Sequence, residues 1–188
     1  MGSVLEAFDP ELERKVAIKV LHQQGDGEEG RLRLLREAQA MARLQHPNVV
    51  AIHDVGALGD RVWLAMELVE GQTLKAWLAD HPRPWSEILG VMVAAAEGLA
   101  AAHAAGLVHR DVKPENVMVS AGERVRVADF GLARAGSELR EEAPPGELTS
   151  QTSSLLESEL THAGALIGTP RYMAPEGLLG LPVDARSD

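Results

Sequence analysis

Short runs of apolar residues, separated by polar residues, dominate the first 70 positions and are typical of β-strands. The four predicted strands are SVLEAF, KVAIKVL, VVAIHDV and RVWLAMELV. Between the second and third runs, apolar residues recur at helical spacing and predict a helix over residues 31–45. Its apolar stripe consists of Leu34, Ala38, Met41 and Leu44. Pro47 ends this helix, because a proline disfavours helical geometry in the residue before it.

From about residue 71 the pattern becomes helical. Helices are predicted over 73–81 and 86–106, the second with Ser86 as N-cap and Gly106 as its terminating glycine. A hairpin follows over 116–131, with its turn near Ala121 and Gly122. The pattern therefore predicts an α+β fold whose first part is rich in strands and whose second part is mainly helical.

Two charged residues interrupt the apolar patterns of the first part. Lys19 lies in the second strand, and Glu37 lies on the apolar stripe of the helix. A buried carboxylate requires a cation, so Lys19 is a candidate partner for Glu37. In the alternative, Glu37 lies at the edge of the stripe beside an arginine, and Lys19 is solvated.

The predicted hairpin brings two oxygen donors together. Asn116 precedes its first strand and Asp129 follows its second, so an antiparallel pairing places both at its open end. Pro114 keeps Asp111 and Lys113 out of the preceding helix and in a loop. Asn116 and Asp129 predict a site for a hard cation such as Mg²⁺, bound together with phosphates.

Composition narrows the functional classes. The formal net charge of −10 argues against general affinity for nucleic acid, and the absence of cysteine fits a cytoplasmic setting. We expect no membrane contact, since no apolar run in the sequence approaches the ~20 residues of a membrane-spanning helix. Residues 136–161 contain six acids and one base with many Ser and Thr, and they predict a mobile surface loop.

Five elements together resemble the eukaryotic-like Ser/Thr protein kinases of bacteria. They are Lys19 in VAIK, Glu37, HRDVKPEN (109–116), DFG (129–131) and GTPRYMAPE (168–176), in the order that the family shows. The resemblance implies a two-lobed α+β fold with a small β-rich N-lobe and a mainly helical C-lobe, both incomplete. It divides the chain into a partial N-lobe (1–66), a hinge (67–70) and a partial C-lobe (71–188), with a long activation segment over 129–176.

The resemblance also implies ATP and Mg²⁺ as cofactors and assigns roles to individual residues. The implied catalytic residues are Asp111, Lys113 and Lys19, and the implied metal ligands are Asn116 and Asp129. The implied ATP-binding residues are Gly2, Val4, Ala17, Lys19, Glu37, Met66, Glu67, Val69 and Met118. His109 and Phe130 are expected to stack with Met41 and Ile52 in a structural column, whereas His103 is expected at a packing or surface position.

The same family pattern points to regulation by phosphorylation. Thr161 is the first candidate for the phosphorylated residue, with Arg110 as the cation that receives its phosphate, and a kinase dimer would allow phosphorylation in trans. The alternative sites are Thr149, Ser150, Thr152, Ser153, Ser154 and Ser158. Equally, the segment could be an acidic insert that only keeps the chain soluble. Thr169 is expected to line the substrate site.

Both ends of the chain depart from the complete family pattern. Gly2 and Val4 correspond only to the tail of the glycine-rich loop, and Asp188 corresponds to the aspartate that braces the catalytic loop at the start of a large helix. We therefore expect low stability and weak phosphotransfer from residues 1–188 alone. The alternative functions are a non-catalytic kinase-like binding module and a small-molecule phosphotransferase, the latter disfavoured by Lys113 and GTPRYMAPE.

Overall fold

A computed structural model of the chain describes residues 3–21, 27–59, 61–122, 124–130 and 170–188. Its strands are β1 (Ser3–Asp9), β2 (Arg14–Leu21), β3 (Ile52–Leu58), β4 (Arg61–Glu67), β5 (Gly71–Thr73), β6 (Val117–Ser120) and β7 (Val125–Val127). Its α-helices are α1 (Gly27–Ala42), α2 (Leu74–Asp80), α3 (Trp85–Ala104) and α4 (Pro175–Leu178). Short 3₁₀ turns cover Pro114–Asn116, Pro170–Tyr172 and Ala185–Ser187.

The first part of the chain forms an antiparallel sheet with strand order β1-β2-β4-β3. Helix α1 covers one face of this sheet through Leu34 and Ala38, which pack with buried side chains of β2 and β4. The four predicted strands are confirmed, but β3 begins at Ile52 and not at residue 49. The reason is that Val49 pairs with Val127 of another sheet. Helix α1 begins at Gly27, and Glu28 and Glu29 occupy its first turn, where the helix dipole favours acids.

A second sheet, with order β5-β6-β7, packs against α2 and α3. The predicted hairpin is confirmed as β6 and β7. Gly106 ends α3 as predicted, with a positive φ of 75°. The predicted N-cap was wrong: the helix begins at Trp85 with Pro84 in the cap position, and Ser86 lies inside its first turn. Pro84 has a ψ of 142° and so lies just outside the helix, and its ring has no oxygen that could accept from the first helical N–H groups.

Helix α3 has 20 residues and contains an 18-residue window with a mean hydropathy of 1.3, so by length and composition alone it could cross a membrane. The expectation that no apolar run approaches the length of a membrane-spanning helix was therefore wrong. Length and composition are weak evidence here, since a core helix of a soluble protein has the same features. Val91, Ala95, Gly98 and Ala102 of α3 are buried, and the helix packs on β7.

A short stretch of backbone joins the two sheets. The Val50 N–H donates to the Val127 carbonyl at 2.9 Å, and the Val127 N–H donates to the Asn48 carbonyl at 2.8 Å. Residues 48–50 thus add a parallel pairing to the outer edge of β7. We call this pairing the seam. On its far side, α3 approaches closely: a Cβ built on Gly98 would lie 2.5 Å from the Asn48 carbonyl oxygen.

Aromatic stacking supports the same region. The rings of His109 and Phe130 stack with their centroids 4.6 Å apart, and Met41 and Ile52 line a cavity beside Phe130. The structure therefore brings the four residues of the expected column together. His109 is completely buried; its Nε2 bonds the Ala128 carbonyl at 2.8 Å, and its Nδ1 accepts from the Asp111 N–H at 3.3 Å. These contacts require a neutral ring that carries its proton on Nε2.

The approach of α3 to the seam predicts opposite effects for two glycine substitutions in one helix. Gly98→Ala should lower the free energy of unfolding by roughly 1–3 kcal/mol, because its methyl group would overlap the Asn48 carbonyl. Gly90→Ala is the matched control, since nothing lies within 4 Å of its added Cβ. It should stabilise the protein by about 0.5–1 kcal/mol through helix propensity. Thermal or urea unfolding measures both, and equal effects would contradict the packing described.

The buried His109 predicts that stability falls in acid. Burial lowers the pKa of His109 below its ordinary value of 6.5, although the bond to Ala128 opposes this. The unfolded chain then binds the proton first, so the stabilisation is complete above pH 6.5 and is lost as the pH falls through the folded-state pKa. His109→Phe should flatten the dependence of unfolding free energy on pH between 7.5 and 5.5.

His53 provides the comparison for this measurement. Burial also lowers the pKa of His53, so His53 likewise makes the protein less stable in acid. His53→Gln should therefore also reduce the dependence of the unfolding free energy on pH. If unfolding of the His109→Phe variant depended on pH as steeply as unfolding of the wild type, a neutral buried His109 would be ruled out.

Candidate active site

The loop between α3 and β6 gathers three of the predicted site residues. The Lys113 Nζ lies 2.5 Å from the Asp111 Oδ2. The Asn116 Nδ2 donates to the Asp111 carbonyl at 2.8 Å and to its Oδ2 at 3.2 Å. Pro114 opens the 3₁₀ turn that carries Asn116 back toward Asp111, and it disfavours helical geometry at Lys113, which is extended. One carboxylate is thus fixed by a cation and an amide, and it lies partly open to solvent.

Asp188 holds this loop through hydrogen bonds to the main chain of the loop. Its carboxylate accepts from the His109 N–H at 2.6 Å and from the Arg110 N–H at 2.7 Å, and its side chain is 1% exposed. The predicted contact between Asp188 and the catalytic loop is confirmed. Arg110 has a φ of 67°, a left-handed conformation that costs a non-glycine residue roughly 1–3 kcal/mol. The charge-assisted bond to its N–H helps to hold this conformation.

His103 is a site residue that the sequence analysis missed. Its Nε2 lies 2.8 Å from the Asp188 Oδ2, so it contributes to holding the carboxylate that braces the loop. The expectation of a packing or surface position was therefore incomplete. The only available signal was its place in the last turn of α3, six residues before His109.

A lysine and an aspartate meet across the junction of the two sheets. The Lys19 Nζ on β2 lies 3.0 Å from the Asp129 Oδ1, just after β7, and the Lys19 side chain is mostly buried. Asp129 has a φ of 59°, the second left-handed non-glycine residue near the site. The Ala128 N–H donates to the Asn116 carbonyl at 2.8 Å, so Asn116 lies beside the residue that precedes Asp129 at the open end of the hairpin.

The predicted pair between Lys19 and Glu37 is not the pair that the described residues form. Lys19 pairs with Asp129, whereas Glu37 lines a separate cavity with Arg110. Met41 and Phe130 border both this cavity and the one that Lys19 lines. Both carboxylates are thus near the same apolar column, but Asp129 is the one in contact with the ammonium group.

The residues predicted to hold the adenine ring lie on strands of both sheets. Ala17 and Met66 are paired across β2 and β4 and are buried together, with Val69 packed against them. Glu67 ends β4, and its side chain bonds Arg126 of β7 at 3.1 Å. Met118 is partly buried on β6, and Val4 is half-exposed on β1 opposite Lys19. Gly2, Thr161 and Thr169 lie outside the described residues.

The donor set of this site fits a hard cation only together with another ligand. Asn116 and Asp129 offer amide and carboxylate oxygens, which Mg²⁺ accepts readily, usually with phosphate oxygens and water completing its shell. In the described parts of the chain, no group of three or more His, Cys, Asp or Glu residues could hold a metal unaided. The arrangement therefore suits a cation that arrives with a phosphate ligand.

Comparisons with known proteins agree with this geometry. The family model described as protein kinase domain matches residues 1–188. The serine/threonine-protein kinase pkn2 of Myxococcus xanthus is 41% identical over 192 residues, covering 100% of this chain and 21% of that protein. The kinase PknL of Mycobacterium tuberculosis is 39% identical over 189 residues, covering 100% of this chain and 43% of that protein. The chain thus spans less than half the length of these relatives.

Solved structures give the same result for the fold. The crystal structure of the Mycobacterium tuberculosis PknI kinase domain has a TM-score of 0.69 and 31% identity, with 100% of this chain and 64% of that chain covered. Another structure of that kinase domain gives a TM-score of 0.70 and 32% identity. The two-lobed kinase fold and the family predicted from the sequence are confirmed, and the chain belongs to the protein kinase domain family.

Proposed function

We propose that the protein transfers the γ-phosphoryl group of ATP to serine and threonine hydroxyls of protein substrates. One observation carries this proposal: the cluster of Asp111, Lys113 and Asn116 lies beside a hairpin end whose Asp129 contacts Lys19 of the other sheet. The family implies ATP, a divalent metal and protein substrates in general. The nearest functional support comes from the relatives, which are named as serine/threonine kinases.

In this proposal, Asp111 accepts the proton of the attacking hydroxyl as the oxygen forms its bond to the γ-phosphorus. The bond between the γ-phosphorus and the β,γ-bridging oxygen breaks, and ADP leaves with the bonding electrons. Lys113, held 2.5 Å from Asp111, is placed to neutralise the charge of the transferring group. These residues act mainly by position and charge, since phosphoryl transfer needs little covalent help from the protein.

The nucleotide would be held by residues from both sheets. Lys19 is suited to the phosphates, and the main chain from Glu67 to Val69 is suited to the adenine edge, beside the apolar Ala17 and Met66. Asn116 and Asp129 would hold Mg²⁺, which supplies charge neutralisation at the phosphates. Glu37, Val4, Gly2 and Met118 remain proposed contributors to the same site.

Regulation and cellular setting are further parts of the proposal. Phosphorylation of Thr161 by a second copy of the protein would supply a negative charge for Arg110, which directly precedes Asp111 in the loop between α3 and β6. The absence of cysteine in the sequence supports a cytoplasmic setting. We propose no membrane contact for the region 1–188 itself, because one face of α3, with Val91, Ala95 and Ala102, packs on β7.

An Asp111→Asn substitution tests the phosphotransfer proposal. It should reduce the rate of phosphate transfer from Mg·ATP to a Ser/Thr peptide by about 10²-fold or more, because general-base assistance typically contributes 10²–10⁴-fold. Asp54→Asn is the control, since Asp54 is exposed on β3 and its local bond to Val55 survives the change. Circular dichroism should show both variants folded. A folded wild type that binds Mg·ATP but transfers no phosphate would favour a binding module instead.

The proposed phosphorylation of Thr161 predicts that one copy of the protein phosphorylates another. Wild-type protein mixed with a mass-tagged Asp111→Asn variant and Mg·ATP should place phosphate on the tagged, inactive copy. Peptide mapping by mass spectrometry should find that phosphate on Thr161, and Thr161→Ala should abolish it while Thr152→Ala does not. Phosphate found only on the wild-type copy would rule out transfer between molecules, and phosphate on another hydroxyl would rule out Thr161.

A further inference from the structure

A charged residue lies between two of the most buried positions of the fold. Arg126 is the central residue of β7, and its neighbours Val125 and Val127 are each 1% exposed. Side chains alternate along a strand, so Arg126 points to the opposite face from both valines. Its own side chain is nevertheless only 19% exposed. Such a position requires polar partners, and the structure provides them.

The partners of Arg126 outside its own strand belong to the other sheet and to the loop between α1 and β3. The Arg126 Nε donates to both carboxylate oxygens of Glu67, at 3.3 Å and 3.1 Å. Its Nη1 donates to the Pro47 carbonyl, and also reaches the Val125 carbonyl at 3.4 Å. Glu67 is the last residue of β4, and Pro47 lies between α1 and β3. We call the contacts of Arg126 with Glu67 and Pro47 the Arg126 tether.

The Arg126 tether lies next to the seam. Val127, the following residue, exchanges backbone hydrogen bonds with Asn48 and Val50. Two residues further on, Asp129 contacts Lys19 at 3.0 Å. The end of β4 is also held locally, since the Glu67 N–H donates to the Ala51 carbonyl at 2.8 Å. One guanidinium thus connects the strand that leads to Asp129 with the strand end that leads into the hinge.

From this geometry we infer that Arg126 is a positioning residue for nucleotide binding. It fixes the distance between the hinge end of β4, which is proposed to contact adenine, and Asp129, which is proposed to hold the cation on the phosphates. ATP must reach both places at once, so a change in their spacing weakens its binding. This inference rests on the proposed nucleotide site, but it does not require that phosphate is transferred.

The planar geometry of arginine is essential to this role. Its Nε and Nη1 donors point in fixed directions, one to a carboxylate and one to a main-chain carbonyl. A lysine at the same position keeps the charge, but a single ammonium group cannot reproduce both directions. Arg126→Lys should therefore restore the fold and the charge while restoring nucleotide affinity only in part.

Calorimetric titration with Mg·ATP tests the inference on four variants and a control. The variants are Arg126→Ala, Arg126→Lys, Glu67→Gln and the double variant Arg126→Ala/Glu67→Gln. The control is Arg124→Ala, because Arg124 is the same residue type, two positions away and exposed. We expect Arg126→Ala and Glu67→Gln each to weaken Mg·ATP binding by roughly 3–10-fold, with the double variant no weaker than Arg126→Ala alone. Arg126→Lys should fall between wild type and Arg126→Ala, and Arg124→Ala should match wild type.

Two further readouts separate positioning from a purely structural role. In steady-state kinetics, KM for ATP should rise with the dissociation constant, while KM for the peptide stays at its wild-type value. In thermal unfolding without nucleotide, the losses from Arg126→Ala and Glu67→Gln should be less than additive, which reports their contact directly.

The inference fails if Arg126→Ala lowers the unfolding temperature but binds Mg·ATP as tightly as the control does. It also fails if Arg126→Ala binds the nucleotide more tightly or works faster, since Arg126 would then restrain the site and not position it. Should Arg126→Ala fail to fold, Arg126→Lys decides: full wild-type affinity overturns the inference, and partial affinity supports it. A wild type that binds Mg·ATP without transferring phosphate contradicts the proposed function alone.

Discussion

The pairing of β7 with residues 48–50 is the constraint on which the candidate active site depends. Lys19 belongs to one sheet and Asp129 follows a strand of the other, so their 3.0 Å contact exists only if the two sheets keep a fixed relation. Two backbone hydrogen bonds at Val127 provide that relation. They are directional and lie among buried valines, where an unpaired backbone group would be costly. Because Gly98 has no side chain, α3 can pack closely against Asn48 of the same seam.

The catalytic loop is held by a second, electrostatic constraint. A buried carboxylate, Asp188, accepts from two consecutive N–H groups of the loop and contacts His103. A carboxylate that is buried in this way requires several hydrogen-bond donors. The loop supplies two of them, and these hydrogen bonds in turn fix the conformation of the loop. The left-handed backbone at Arg110 is a consequence of this arrangement. Asp111 therefore starts from a position that is set by residues far from it in sequence.

Most of the fold and the composition of the site could be predicted from the sequence, because both have local signals. Alternating and helical periodicity indicated the strands and helices, and the DFG and HRDVKPEN motifs indicated Asp111, Asn116 and Asp129. The partner of Lys19 could not be settled in this way. Periodicity placed Glu37 on the correct helix face, but the choice between two carboxylates depends on how the sheets meet. The same limit applies to His103, to Arg126 and to the pairing of Val49 with Val127, which leaves Ile52 as the first residue of β3, since each depends on a contact distant in sequence.

We propose that Lys19 and Asp129 are brought together to hold the phosphates and the cation of one nucleotide. Calorimetric titration with ATP, with and without Mg²⁺, tests it most directly in the wild type, Lys19→Met and Asp129→Asn. We expect Mg²⁺ to strengthen ATP binding to the wild type and to Lys19→Met, but to have little effect on ATP binding to Asp129→Asn. Lys19→Met should bind ATP more weakly than the wild type does under both conditions. If Mg²⁺ strengthened ATP binding to Asp129→Asn as much as to the wild type, Asp129 would not hold the cation.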